Sequence, residues 1–121
     1  MTYRDIYKAA LPLIGESART EDSTLELTAE ELLPMIVYSL LPLDRLKKQS
    51  VGETAISAPS LLISLEHNWP IDDGFLPCAA HYLASYMISA DDPDLSTVLY
   101  VRAEAMKRII SDNIPYTVER I

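Results

Sequence analysis

Few residues in this chain have the types and spacing that chemistry requires. His67 and His81 are its two histidines and Cys78 its one cysteine. A structural zinc site needs about four ligands converging on one point. Glu66 and His67 are adjacent, and neighbouring side chains on a strand point to opposite faces, so they do not share an ion. His81 falls one residue past Ala79-Ala80 in an apolar helical run. A histidine there is far more often partly buried or at an interface than a ligand. Cys78 falls in the N-terminal turn of the same run, where a thiolate is favoured. With no base to partner it, the reading is a small core residue. Asp72-Asp73 and Asp91-Asp92 resemble paired carboxylates, yet each pair stands just before a helix, where capping explains it. The three glycines, Gly15, Gly52 and Gly74, lie too far apart to build a phosphate-cradling loop. The expectation is a chain that does no catalysis and holds no cofactor and no metal. An enzyme built on Cys78 or His81 ranks last.

The elements that would position these residues centre on Gly74 to Ser111. Leu76, Ala79, Ala80, Leu83, Ala84, Met87 and Ile88 recur at helical spacing, and so do Leu95, Val98, Leu99, Ala105, Met106, Ile109 and Ile110. Asp92 can cap the second helix and Pro93 suits its first position. The connection Ala90-Asp91-Asp92-Pro93 is so short that the two helices lie antiparallel, each stripe against the other. Asn113 can end the second helix in the left-handed conformation, and Pro115 stops it.

Ahead of the hairpin, Thr2 and Asp5 have capping-box spacing before an apolar stripe of Ile6, Ala9, Ala10, Leu13 and Ile14, which Pro12 weakens. Gly15 to Leu25 is polar and reads as a loop. Thr28 and Glu31 form a second capping box. The most apolar helix follows, through Leu32, Leu33, Ile36, Val37, Leu40 and Leu41, with Pro42 the expected break or kink. Lys47 and Lys48 sit at its C-terminal end, where positive charge complements the helix dipole. From Val51 to Ile71 helical periodicity is lost. Thr54–Ser57 and Leu61–Glu66 could be short strands joined by a turn at Ala58-Pro59-Ser60. The fold class expected is mainly α. It is a single domain over residues 1–121, a small bundle of about four helices on the C-terminal hairpin, with a short irregular or β arm over 51–71 between helices two and three.

At 121 residues and 49% hydrophobic composition, the chain can bury a modest core and is not intrinsically disordered. One cysteine excludes an intrachain disulfide and suits a reducing compartment. Met1 to Asp5 lacks the basic start of a secretory signal, and no apolar run reaches bilayer length. The net charge is −8, and no Lys or Arg occurs from Gln49 to Val101. That disfavours clamping of a phosphate backbone. The plainer meaning is solubility; the sharper one is a surface that repels nucleic acid, such as the wall of a channel through which DNA slides.

Residues 113–121 read as an extended tail. Ile114, Tyr116, Val118 and Ile121 are β-prone and suit pairing with a partner's edge or groove, or lying back on their own domain. Ile56, Leu62, Ile63, Trp69 and Tyr86 are the candidates for contacts between subunits. Tyr82, Tyr86 and Tyr100 cluster on the hairpin, at an interface or a core edge.

One stretch carries a family resemblance. Trp69-Pro70-Ile71-Asp72-Asp73-Gly74-Phe75-Leu76-Pro77 leads into Ala79-Ala80-His81-Tyr82-Leu83-Ala84-Ser85-Tyr86-Met87. The acidic break Asp91-Asp92-Pro93-Asp94 and Leu99-Tyr100-Val101-Arg102-Ala103-Glu104-Ala105 follow. This resembles the small head–tail connector (adaptor, or head-completion) proteins of long-tailed phages and prophages, in residues from about Trp69 to Ala105 and in layout over most of the chain. Pro34 and Pro42 depart from the pattern. The resemblance implies a non-catalytic helical subunit of a homo-oligomeric ring. Such a ring docks on the portal protein, extends the DNA channel toward a downstream neck or tail-completion protein, and passes DNA only as cargo. It implies a place at the virion head–tail interface, after assembly in the host cytoplasm and away from any membrane. By position, the segment reaching the portal would be Asn113 to Ile121. The alternative from composition is a small acidic helical binding module, an adaptor or an inhibitor that mimics nucleic acid.

Overall fold

The computed structural model describes residues 1–115, and these are mainly helical. Four α-helices follow in order: α1 (Tyr3–Ala10), α2 (Ser23–Ser50), α3 (Leu76–Ile88) and α4 (Pro93–Asp112). Tyr116, Val118 and Ile121, expected in the docking tail, lie outside the described residues.

α1 is too short to hold itself together in water. Burial of Tyr3, Ile6, Tyr7 and Ala10 makes it a helix, with Leu11 continuing the stripe in a 3-10 turn, Leu11–Ile14. The two tyrosines extend this stripe beyond the aliphatic residues that its spacing predicts. Asp5 reaches back to the Thr2 N–H at 2.8 Å, as the capping-box spacing predicts. Two further N–H groups of the first turn are satisfied from far along the chain. Tyr3 N–H donates to His67 O at 3.1 Å and Arg4 N–H to Leu65 O at 2.8 Å. At the other end Gly15 takes φ +75°, a left-handed conformation that closes the turn and that a side chain would strain.

α2 corrects two expectations. It starts at Ser23 rather than Thr28, because Asp22 accepts the Leu25 N–H at 3.0 Å and caps it. Thr28, expected as a cap, instead turns its hydroxyl back to Thr24 O at 3.0 Å. The helix also runs through Pro34 and Pro42 without ending. An interior proline costs about 3 kcal/mol. Each large side chain fully buried returns about 1.5–3 kcal/mol, and Leu33, Ile36, Val37, Leu40 and Leu41 are all buried along this helix. Packing therefore outweighs the lost backbone bonds.

The 51–71 arm is irregular. Neither predicted strand forms; its β content is one antiparallel bridge, Thr2 to Asn68. The backbone instead spends its hydrogen bonds on other elements. Trp69 N–H donates to Met1 O at 2.8 Å, Leu65 N–H to the Glu30 carboxylate at 3.0 Å, and Tyr38 OH to Pro59 O at 2.7 Å. Arg4 fixes the same junction, donating to Glu66 at 2.6 Å and to Thr20 O at 3.1 Å.

α3 is the centre. It packs on α1, α2 and α4, most extensively on α4, and the hairpin is antiparallel as expected. Asp92 caps α4 through the Leu95 N–H at 3.0 Å, with Pro93 in its first position. Asn113 ends α4 at φ −88°, right-handed and not left-handed as expected.

Candidate functional site

The residues with chemical potential do not converge. Cys78 is fully buried, and its Sγ lies 3.4 Å from Ala103 O across the hairpin. Burial pushes its thiol up to about 11, with the Lys107 charge opposing and the Glu104 charge adding. A thiol held that high is a poor nucleophile near neutral pH. His81 Nδ1 lies 2.7 Å from Pro77 O, one turn back on α3; a carbonyl only accepts, so this nitrogen carries the proton. His67 does the opposite in the arm, its Nδ1 accepting the Ser64 N–H at 3.1 Å. Among the described residues no three His, Cys, Asp or Glu side chains gather as metal ligands.

Asp92 caps α4 as expected, but neither Asp72 nor Asp73 caps α3, whose N-cap is Phe75; Asp72 instead caps the 3-10 turn Asp73–Phe75 that leads into it, and does more. Asp72 accepts the Gly74 N–H at 2.7 Å at the start of the turn into α3. It also accepts from Lys47 Nζ at 2.9 Å, which ties that turn to the end of α2. Its own N–H donates to Asp44 Oδ1 at 3.0 Å. Asp44 is fully buried, with Lys48 Nζ 3.0 Å from its other oxygen. Burial alone would raise the Asp72 carboxyl. The hydrogen bonds from Lys47 and Gly74, with the charges of Lys47 and Lys48, outweigh it and hold the group below its usual range. Sequence reasoning assigned Lys47 and Lys48 to the helix dipole and missed Asp44. The signal was there: a lone carboxylate inside Leu40–Leu46, four residues before a lysine.

The hairpin tyrosines do cluster. Tyr82 meets Tyr86 face to face at 6.3 Å and Tyr100 edge-on at 5.7 Å. Tyr82 is buried and donates to Glu104 at 2.8 Å. That hydrogen bond is the largest effect holding the Glu104 carboxyl low; burial opposes it, and Tyr100, Lys107 and Arg108 reinforce it. Burial raises Tyr82 strongly, and the Glu104 contact adds to this. Glu104, Lys107, Arg108 and Ser111 of α4 also face Ser39, Pro42 and Leu43 of α2 across an open cleft of about 410 Å³. The arrangement is a hydrogen-bonded cap on the hairpin, an ionised Glu104 held by the Tyr82 hydroxyl with Lys107 and Arg108 nearby.

The residues expected at subunit contacts divide. Leu62 is 87% exposed and Tyr86 is 42% exposed. Ile56 and Ile63 are half-buried against the core. Trp69 points inward, 6% exposed, edge-on to Tyr3 at 5.4 Å with its indole N–H on Asp72 O at 3.2 Å. It belongs to the domain's own core and is not offered to a neighbour. Ile114 is likewise buried, at 5%, and joins the same core. The start of the expected tail therefore packs on its own domain.

The largest correction concerns α4. Val98, Ala105 and Ile109 were expected on the packed stripe, but they face outward with Val101, while Leu99 and Ala103 are buried. A row at 98, 101, 105 and 109 stays on one helix face. A second exposed apolar surface joins Leu27 and Met35 of α2 to Leu61 and Leu62 of the arm. It borders an open groove of about 460 Å³ that also holds Glu30, Glu31 and His67. Among the described residues no helix is long and apolar enough to cross a membrane. Compared with protein-family models, curated proteins and solved structures, the chain matches none.

Proposed function

We propose that this chain is a structural subunit that assembles with copies of itself into a ring, as a phage or prophage head–tail connector. The ring docks on a portal and extends the DNA channel toward the tail. One observation carries the assembly reading. Two rows of large apolar side chains stand in solvent on different elements, with Val101 at 60%, Ile109 at 59%, Leu61 at 61% and Leu62 at 87% exposure. Exposed apolar side chains grouped in this way suit a contact with another macromolecule. The phage setting rests on the Trp69–Ala105 resemblance. The acidic residues of the hairpin turn, Asp91, Asp92 and Asp94, are exposed and suit a channel wall that must not hold DNA.

The nucleic-acid-mimic reading draws less support, because the acids are dispersed on separate tasks. Asp22 and Asp92 cap helices, Asp72 holds Lys47, Glu66 holds Arg4 and Glu104 holds Tyr82. Sedimentation across a wide concentration range, with electron microscopy alone and beside the portal ring encoded in the same genome, tests the proposal. Annular particles free or on the portal are the expected result. A chain that stays monomeric in both settings, or whose gene lies far from any portal or capsid gene, ends it.

A further inference from the structure

The outer row of α4 has basic flanks and the groove surface acidic ones, with Asp94 and Asp112 beyond the two ends of the row. Val98, Val101 and Ile109 are flanked by Arg102 on one side of the helix and Arg108 on the other. Leu27, Leu61 and Leu62 line the groove with Glu30 and Glu31, and exposed Met35 stands one turn along α2 from Glu31. Among the described residues Arg102, Arg108 and Glu31 make no ion pair within their own chain. We infer that these two surfaces are the two halves of one contact between copies. The α4 row of one copy seats in the α2–arm groove of the next, with Arg102 and Arg108 meeting Glu30 and Glu31.

Self-pairing of α4 is disfavoured by its own charges. Laid antiparallel about the middle of the row, it sets Asp94 of each copy beside Asp112 of the other. Laid parallel in register, it sets Arg102 on Arg102 and Arg108 on Arg108. Like charges brought together across an interface are costly. The groove offers the opposite sign and an apolar floor. A contact between two different patches is head-to-tail, and repeated by a closing rotation it makes a ring rather than a dimer. This inference rests on the ring proposal and says which surfaces close it.

Two blocked copies test the pairing. Val101→Asp spoils the row and leaves the groove intact; Leu62→Asp does the reverse. Both sites are exposed, so unchanged thermal melting is expected and is measured first. Each variant alone should lose assembly by at least tenfold in the midpoint concentration, read on whichever assembly the wild-type chain forms, free or on a portal. Mixed, the two should give a one-to-one pair and nothing larger, since each retains one good surface. Arg102→Glu with Arg108→Glu should weaken assembly, and adding Glu31→Arg should restore part of it. If Leu62→Asp alone still pairs as well as wild type, the contact is α4 on α4 and the inference fails. If the wild type assembles and the mixture does not pair, these surfaces serve another protein; the inference fails while the ring proposal stands. If the wild type assembles in neither setting, both fail.

Discussion

α3 and α4 face each other along one hairpin, yet they use their apolar residues in opposite ways. α3 is surrounded, so Ala79, Ala80, Leu83 and Ala84 are all buried and Tyr82 and Ser85 join them. α4 is covered on one side. Only Leu99 and Ala103 are fully buried there, and a second apolar row looks outward. The same helical period therefore has two meanings. In α3 it records the interior of the domain; in α4 it superimposes an interior face on an exterior one. An apolar count too large for one stripe is the trace that an outward surface leaves in a sequence.

The sharpest way to break this comparison is to place a charge on each helix. Leu83→Asp on α3 buries an unpaired carboxylate at a site with no exposure and should cost about 4 kcal/mol or more, enough to unfold a domain of this size. Val101→Asp on α4 meets water and should change stability by no more than about 0.5 kcal/mol. Urea titration followed by circular dichroism separates them. Equal losses would mean that the outer row is packed and that α4 has one face, not two.

A finer cut stays within α4. Leu99 is 1% exposed, so Leu99→Ala should cost about 2–5 kcal/mol through lost burial and the cavity it leaves. Val98, its neighbour in sequence, is 45% exposed, and Val98→Ala should fall within about 0.5 kcal/mol. If the two midpoints shift alike, the assignment of inward and outward faces is wrong.

Much of this was legible in the chain because local chemistry decides it. Asp92-Pro93 starts α4, Asp5 caps α1, and the acidic break turns the hairpin, each within four residues of its partner. What was not legible is decided at a distance. Pro42 reads as a break until the burial around Leu40, Leu41 and Leu43 is weighed against it. Trp69 reads as an exposed anchor until Tyr3 and Met1, more than 60 positions away, close over it. The arm reads as strands because helical periodicity is lost on both sides of a turn at Ala58-Pro59-Ser60, but its hydrogen bonds go to α1, α2 and Met1. Which of the two rows on α4 faces inward depends on α3, and no pattern within α4 says so. Of the contact surfaces, Leu62 and Tyr86 were named from sequence and are exposed; the α4 row and Met35 needed the fold.

A smaller effect tests the clamp that leads from α2 into the buried helix. A Cβ on Gly74 would stand 2.8 Å from Asp72 Oδ1 and 3.2 Å from Lys47 Nζ. The carboxylate is already held by the Gly74 N–H and Lys47, so it must leave one of them to make room. Gly74→Ala should therefore cost about 1 kcal/mol, the worth of one such hydrogen bond. Gly15→Ala tests the other explanation for a required glycine, since nothing lies within 4 Å of its Cβ position and its φ of +75° is the whole cost. A stabilised Gly74→Ala variant would mean that the clamp is not formed.

The last and smallest effects are in pH, and they also separate the two helices. Asp72, at the head of α3, and Glu104, on α4, both have folded carboxyls below their usual range. The unfolded chain then binds protons more readily, so these groups stabilise the fold fully above the ordinary carboxylate range of about pH 4. That stabilisation is lost as pH falls through their lower folded values. Melting temperature should therefore drop below about pH 4, and Asp72→Asn and Tyr82→Phe should each flatten part of the drop. At the alkaline end the sign reverses. Burial raises Tyr3 to about 12 and raises Tyr82 further, so the unfolded chain ionises first, near pH 10. Stability from these groups is complete below that point and is lost as pH climbs through the folded values. Tyr82→Phe thus acts on both limbs, because one hydrogen bond couples α3 to α4, whereas Asp72→Asn acts on the acid limb alone. Two melting curves with the same alkaline midpoint would break that coupling.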